Sequence, residues 1–456
     1  MQGWDAKMRN ADKLISAREA ALKALGIYRR NNAWSDLTLN GLIRGSDLPP
    51  AEAALMTKIV YGVLQNLTLC DYVAAQFSSI ELKKLEPRVL DILRMSIYQL
   101  VFLTRVPASA AVNEGVALAR KYSNQRAAGF VNAVLRKIAK AVEDGALPEL
   151  PGDGLQGLSV KYSHPEWLVK EFCGVLGPDG AEALMTAGND GDTPITVQVN
   201  TLISDTEEAL TALAADGVDA VRHEWLDSCL ELRGAGNITR LEAFSKGLIY
   251  VQDAAAKLSV IAAGPKKNNF VVDGCAAPGG KSFAAAIQME NKGRIAAFDV
   301  HAAKLRNMEN SAGRLKIDII ETFKRDSSLP PDTLSGSADV VLADVPCSGF
   351  GVIRKKPEIR YKDEREAAGL PDIQKKILQA LSAYTKPGGT LLYSTCTILK
   401  RENEEVIEWF LRNNGLFSLE AFTLPGVGEV PDGMITLWPH IHATDGFFIC
   451  KMRRKV

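Results

Sequence analysis

The chain has 456 residues, with 54 Lys+Arg against 54 Asp+Glu, and is 46% hydrophobic and 24% charged. That length is too great for one core and implies two or three domains, while the ordinary composition excludes disordered, collagen-like and disulfide-scaffold chains. The zero net charge hides an asymmetry: residues 1–145 carry 20 Lys+Arg against 13 Asp+Glu, which suggests a polyanionic partner for that region.

The opening stretch MQGWDAKMRNADKL is charged and lacks an apolar signal core, and no apolar run reaches the roughly 20 residues of a membrane span. A cytoplasmic chain without a membrane partner is expected. Residues 1–145 read as almost wholly helical. SAREAALKALGIYRR places Ala17, Ala20, Ala21, Leu25 and Tyr28 at three- and four-residue steps, and PRVLDILRMSIYQLVFL and AAGFVNAVLRKIAKAV repeat that period. EDGALPELPGDGLQG then reads as a linker. Residues 146–250 comprise this linker and a small α+β segment with strands in ITVQVNTL, CLELRG and GLIYVQD.

From about residue 251 strands and helices alternate, as in an α/β Rossmann-like domain with a mostly parallel sheet. NFVVDG, GRIAAFDV, ADVVLAD and GGTLLYSTC end on Asp273, Asp299, Asp344 and Cys396. Ligands of open α/β sheets bind outside the carboxyl ends of the strands, so these side chains are expected around one crevice. The fold class is therefore multidomain: an all-α N-terminal domain (1–145), a small α+β segment (146–250) and an α/β domain (251–456).

VVDGCAAPGGKS follows a strand and opens a helix, but it is neither a Walker A loop nor a GxGxxG fingerprint. Glycines there allow close backbone approach, and the helix N-terminus offers free N–H donors. Asp299 stands 26 residues after Asp273, where a carboxylate can accept both ribose hydroxyls, and Asp326 could face an adenine. Together these favour a nucleoside cofactor without a triphosphate, such as S-adenosylmethionine.

Seven cysteines occur with no CxxC pair, and His440 and His442 bring no further ligand at metal spacing, so no metal site is expected. Cys347 in LADVPCSGFG and Cys396 in LLYSTCTI end two strands. They could be a disulfide, a metal site, buried core thiols, or reagents of one covalent chemistry. A disulfide is disfavoured in the cytosol, whereas core thiols are a common state of free cysteine. One reaction does need sulfur. C5 of cytosine is too weak a nucleophile to take a methyl group from a sulfonium, and a thiolate added at C6 makes it one. An acid at N3 is then required, and Asp344 is the candidate. The second thiol would assist release. By this reasoning either cysteine could attack.

DGCAAPGGK, DVPCSGFGVIRKKPEI, YSTCTI and VQDAAAKL together resemble the Sun (RsmB-like) family of RNA cytosine-5 methyltransferases, and VYGVLQN and GFVNAVLRKI are similar to a NusB-type RNA-binding domain. The resemblance implies S-adenosylmethionine held by Cys275, Ala276, Ala277, Pro278, Gly279, Gly280, Lys281, Asp299, Asp326 and Asp344. It makes Cys396 the nucleophile and Cys347 the release thiol. It also implies 16S ribosomal RNA as the partner, in a small-subunit assembly particle, while the composition leans toward a monomer. Transfer RNA as substrate, or a non-catalytic RNA-binding assembly factor, are the alternatives. The basic residues Arg354, Lys355, Lys356 and Arg360 beside Phe350 and Tyr361 suit a phosphate backbone with the target base swung out. Val345 stands where the family commonly has Ala, Thr397 where it has Ser, and Gln198 where an arginine often stands, removing one potential phosphate contact.

Overall fold

The computed structural model describes residues 16–31, 41–42, 48–152, 154–191, 193–330 and 333–456; the charged opening stretch MQGWDAKMRNADKL lies outside the described residues. The chain divides into two units, residues 1–182 with 356–361, and 183–355 with 362–456.

The first unit is helical, with helices Ala17–Asn31, Pro50–Gln65, Leu67–Phe77, Pro87–Phe102, Ala108–Tyr122, Gln125–Glu143 and Leu155–Tyr162. The helical spacing of Ala17, Ala20, Ala21 and Leu25 becomes one buried stripe, packed in a core with Ile59, Ile92, Leu93, Val131 and Ile138. Gly62 is required by packing, since a Cβ there would lie 1.9 Å from the Tyr98 ring. Charges inside the bundle are paired: Arg94 donates to both carboxylate oxygens of Asp71 at 2.7 Å, and Arg29 donates to Asp91 at 3.1 Å. The unit runs past the boundary expected at residue 145. Tyr72 Oη donates to the Glu149 carbonyl at 2.6 Å, Leu69 N–H donates to Ser163 Oγ at 3.1 Å, and the His164 ring meets Phe172 edge-on at 5.9 Å. The first two contacts tie residues 149 and 163 to the helix Leu67–Phe77, and the third packs residues 164 and 172 against each other.

The second unit opens with strands β1 (Ile195–Val199), β2 (Asp219–Arg222), β3 (Cys229–Arg233) and β4 (Ile249–Val251), an antiparallel sheet in the order β2-β3-β1-β4. β2 is an edge strand of sequence DAVR with mostly exposed side chains, so no apolar alternation announces it. Asn200 Nδ2 donates to the Leu315 carbonyl at 2.8 Å, and the Arg314 guanidinium lies 3.8 Å from the Phe244 ring centre, fastening this sheet to the larger part of the unit.

That larger part contains β5 (Phe270–Asp273), β6 (Arg294–Asp299), β7 (Ile320–Lys324), β8 (Ala338–Asp344), β9 (Thr385–Thr395), β10 (Phe417–Leu419), the hairpin β11 (Phe422–Leu424) and β12 (Gly428–Val430), β13 (Met434–Leu437) and β14 (Phe447–Arg454). The sheet order is β10-β14-β9-β8-β5-β6-β7, with β13 also on β14. β5 to β9 are parallel; β14 runs antiparallel to β9. The sheet is covered on both faces, by a core including Leu258, Ala284 and Ile287, and by a second including Ile377, Leu381 and Phe410. The expected mostly parallel sheet is present. Its connectivity reverses between β5 and β8, the switch point at which such sheets bind ligands. Among the described residues no single helix is long and apolar enough to cross a membrane.

Candidate active site

Strand register brings the two thiols together. Asp344 and Ser394 are partners across β8 and β9, and Val345 N–H donates to the Ser394 carbonyl at 3.1 Å. Cys347 lies three residues beyond β8 and Cys396 directly after β9, and their sulfurs lie 3.1 Å apart as free thiols. The turns that carry them are tied to each other. Ser348 Oγ and Thr397 Oγ1 are 2.7 Å apart, Gly351 N–H donates to the Cys396 carbonyl at 3.0 Å, and Glu402 accepts from Ser348 N–H at 2.9 Å and from Gln374 Nε2 at 2.8 Å. A Cβ on Gly351 would sit 1.8 Å from the Gly446 carbonyl oxygen, so only glycine permits this crossing. Thr397 supplies the hydroxyl that a serine would supply, and Val345 is buried.

The sulfurs are electrostatically unequal. Cys396 is held below the ordinary thiol range, first by the hydrogen bond from Cys347 and then by Lys281, against burial and the Asp344 charge. The hydrogen bond shared with Cys396, together with burial, pushes Cys347 well up. Cys275, half-buried nearby, is also pushed up, by burial and by the surrounding aspartates. The shared hydrogen bond favours one thiolate within the Cys347–Cys396 pair, whereas Cys275 has no such partner.

Asp344 accepts from Lys281 Nζ at 2.7 Å through one oxygen and from Ser394 Oγ at 2.8 Å through the other. Lys281 Nζ also lies 5.0 Å from the Phe447 ring centre. Burial would lower Lys281, but the Asp344 carboxylate outweighs it and keeps the ammonium raised.

The Gly-rich turn fits an anionic group better than its glycines alone suggest. Gly274 and Gly279 are demanded by packing: a Cβ would come 2.2 Å from Leu381 in the first case and 2.3 Å from Phe283 in the second, where φ is also +112°. The helix Gly280–Gln288 begins at Gly279 with no side-chain cap, so its first N–H groups face outward at the end of β5. Asp273 is buried, accepts from Ser282 Oγ at 2.6 Å, and is raised to about 6 by burial. Asp299 ends β6 half-buried, its Oδ1 fixed by His301 N–H at 2.8 Å, which leaves Oδ2 the less engaged oxygen. Asp326 lies exposed beyond β7, with Oδ1 held by Ser328 N–H and Oγ at 2.9 and 2.7 Å. The donor set thus suits a nucleoside carrying an anionic end.

The basic segment is not the solvated phosphate grip that its sequence suggests. Arg354 Nε donates to Asp445 at 3.0 Å, and Lys355 Nζ contacts both Asp445, at 2.9 Å, and Asp253. Lys356 is half-buried, and Arg360 is 0% exposed in the helical unit, donating to the Gln65 and Tyr162 carbonyls at 3.0 and 3.1 Å. Arg354, Lys355 and Arg360 are therefore internal clamps. Arg360→Ala is expected to cost about 3 kcal/mol or more, because a large, fully buried side chain is deleted and the Gln65 and Tyr162 carbonyls each lose a charged donor. Thermal unfolding followed by circular dichroism checks this; an unchanged midpoint contradicts it. Gln198 is buried too, donating to Cys229 Sγ at 3.1 Å and to the Gln252 carbonyl at 3.2 Å, so position 198 faces no phosphate here.

Sequence reasoning missed Ser394, Gln374 and Glu402 at this site. Ser394 was readable, since it precedes Cys396 by two and so shares a strand face with it; Gln374 and Glu402 carried no local signal. Among the described residues no group of three or more His, Cys, Asp or Glu is placed to hold a metal ion.

A family model described as 16S rRNA methyltransferase RsmB/F matches residues 260–453, a NusB family model matches 15–140, and a ferredoxin-like domain model of RsmF/B-like methyltransferases matches 164–239. The chain is 36% identical over 452 residues to a probable ribosomal RNA small subunit methyltransferase B of Bacillus subtilis, spanning 97% of this chain and 100% of the relative. It is 31% identical to ribosomal RNA small subunit methyltransferase B of Erwinia tasmaniensis, over 88% of this chain and 90% of that one. Among solved structures, that of PH0851 matches with a TM-score of 0.81 at 29% identity, covering 97% of this chain and 100% of the other.

Proposed function

Since the chain belongs to the RsmB/F family of 16S rRNA methyltransferases, an S-adenosylmethionine-dependent family acting on ribosomal RNA, we propose that it methylates C5 of one cytosine in 16S ribosomal RNA through a covalent Cys396–C6 adduct. The observation that carries this reading is the pair of free thiols 3.1 Å apart beyond the ends of β8 and β9, with the Lys281–Asp344 pair beside them.

The residues of the Gly-rich turn from Cys275 to Lys281, with Asp299, would hold the cofactor; Asp326 is the weaker candidate, since its exposed carboxylate is already engaged by Ser328. S-adenosylmethionine supplies an electrophilic methyl group on a sulfonium sulfur. The work of the chain is to make the base nucleophilic. The Cys396 thiolate adds to C6, and the ring electrons move toward C5 and N3. The Lys281–Asp344 pair, 2.7 Å across, stands beside that thiol and can place a proton at N3 as charge develops there. After methylation a water takes the C5 proton, the freed electron pair re-forms the C5–C6 double bond, and the C6–sulfur bond to Cys396 breaks, with the Cys347 thiol, 3.1 Å away, giving its proton to the departing sulfur. The basic NusB-like unit would supply further grip on the RNA.

The test is nucleoside analysis after incubating the purified protein with S-adenosylmethionine and either 16S ribosomal RNA or transfer RNA. The reading requires 5-methylcytidine in the ribosomal RNA. Methylation at another atom, or in transfer RNA alone, would overturn the reaction or the substrate respectively.

A further inference from the structure

Gln252 lies outside the motif residues assigned to the cofactor, in the VQDAAAKL approach to the catalytic domain, and is 6% exposed. Its main chain is held on both sides: its N–H donates to the Thr196 carbonyl at 3.3 Å, and its carbonyl accepts from Gln198 Nε2 at 3.2 Å. The side-chain oxygen accepts from Tyr250 Oη at 3.3 Å, which orients the amide. The amide nitrogen, by contrast, is buried with no hydrogen-bond partner. Such a donor is costly to leave unmade.

Where that nitrogen lies supplies the ligand. It is 3.4 Å from the position a Cβ would take on Gly280, the first residue of the nine-residue helix whose N-terminus no side chain caps. Two independent sets of donors, the uncapped N–H groups of one turn and the amide of Gln252, therefore lie side by side. Both favour an anion. S-adenosylmethionine offers one anionic group, the carboxylate of its amino-acid end; its adenosine end is matched by Asp299.

We propose that Gln252 is a cofactor-binding residue that donates through Nε2 to the carboxylate of S-adenosylmethionine; the proposal rests on the family's cofactor. It predicts a loss that depends on which end of the ligand is present. Calorimetric titration of the full chain with S-adenosylhomocysteine is compared with titration by 5′-methylthioadenosine, which keeps the adenosine and thioether but lacks the amino acid. Gln252→Ala is expected to weaken S-adenosylhomocysteine about tenfold, as for a hydrogen bond to a charged group, and to leave 5′-methylthioadenosine within twofold. Gln252→Glu, of equal size, is expected to weaken S-adenosylhomocysteine further by like-charge repulsion, again sparing 5′-methylthioadenosine. Equal losses for both ligands would reduce Gln252 to a structural role, and no loss for either would remove it from the site. If the wild-type chain bound neither ligand, the cofactor assignment itself would fall, an outcome distinguishable from both.

Discussion

Cys396→Ala is expected to lower methyl transfer to RNA by about 10⁴-fold or more, with cofactor affinity unchanged. The size follows from chemistry rather than packing. Without a sulfur bond at C6 there is no enamine, and C5 of cytosine does not attack a sulfonium methyl group at a useful rate. The half-buried position of Cys396 means that deleting one sulfur leaves little cavity, so the fold should survive. Incorporation of labelled methyl groups under single-turnover conditions reads the effect, and retention within tenfold of wild type would remove Cys396 as nucleophile.

Cys347→Ala is expected to produce a different failure, accumulation of a protein–RNA adduct that survives denaturing electrophoresis when cofactor and RNA are both present. In the wild-type arrangement the Cys347 thiol touches the sulfur that must leave. Removing it should let addition and methylation proceed while elimination stalls. The same variant tests the electrostatics. The Cys347 hydrogen bond is the largest influence lowering Cys396, so losing the donor raises the Cys396 thiol. At a fixed pH below that value less thiolate is present. Alkylation of Cys396 by iodoacetamide should therefore slow at neutral pH, and its pH profile should move upward. Cys347→Ser retains a donor and should fall between. An absent adduct together with an unmoved profile would deny Cys347 both roles.

The crevice was legible from sequence because it depends on local rules. Each parallel strand ends where its apolar run meets a polar turn, so the residue pattern alone places Asp273, Asp299, Asp344 and Cys396 on one edge of the sheet. What joins distant segments was not legible. The basic residues after Cys347 look solvated in sequence, yet Asp253 and Asp445, about 100 residues before and 90 after, neutralise Arg354 and Lys355, and two carbonyls of the helical unit take Arg360. Charge in a sequence names no partner. The meeting of the two thiols is likewise a product of the fold: Cys347, Lys281 and Asp344 come beside Cys396 only after β5, β8 and β9 have aligned. The helical unit outran its expected end for a related reason, since Glu149, Ser163 and Phe172 make their contacts with residues distant in the chain, or across a turn, that no periodicity reveals. The family resemblance, by contrast, was fully readable in the motif set.

The measurement that bears most directly on the central claim is bisulfite sequencing of total RNA from cells with and without this gene. The account predicts that one protected cytosine in 16S ribosomal RNA loses its protection when the gene is absent and regains it with the wild-type gene but not with Cys396→Ala. Unchanged protection throughout 16S ribosomal RNA would contradict it.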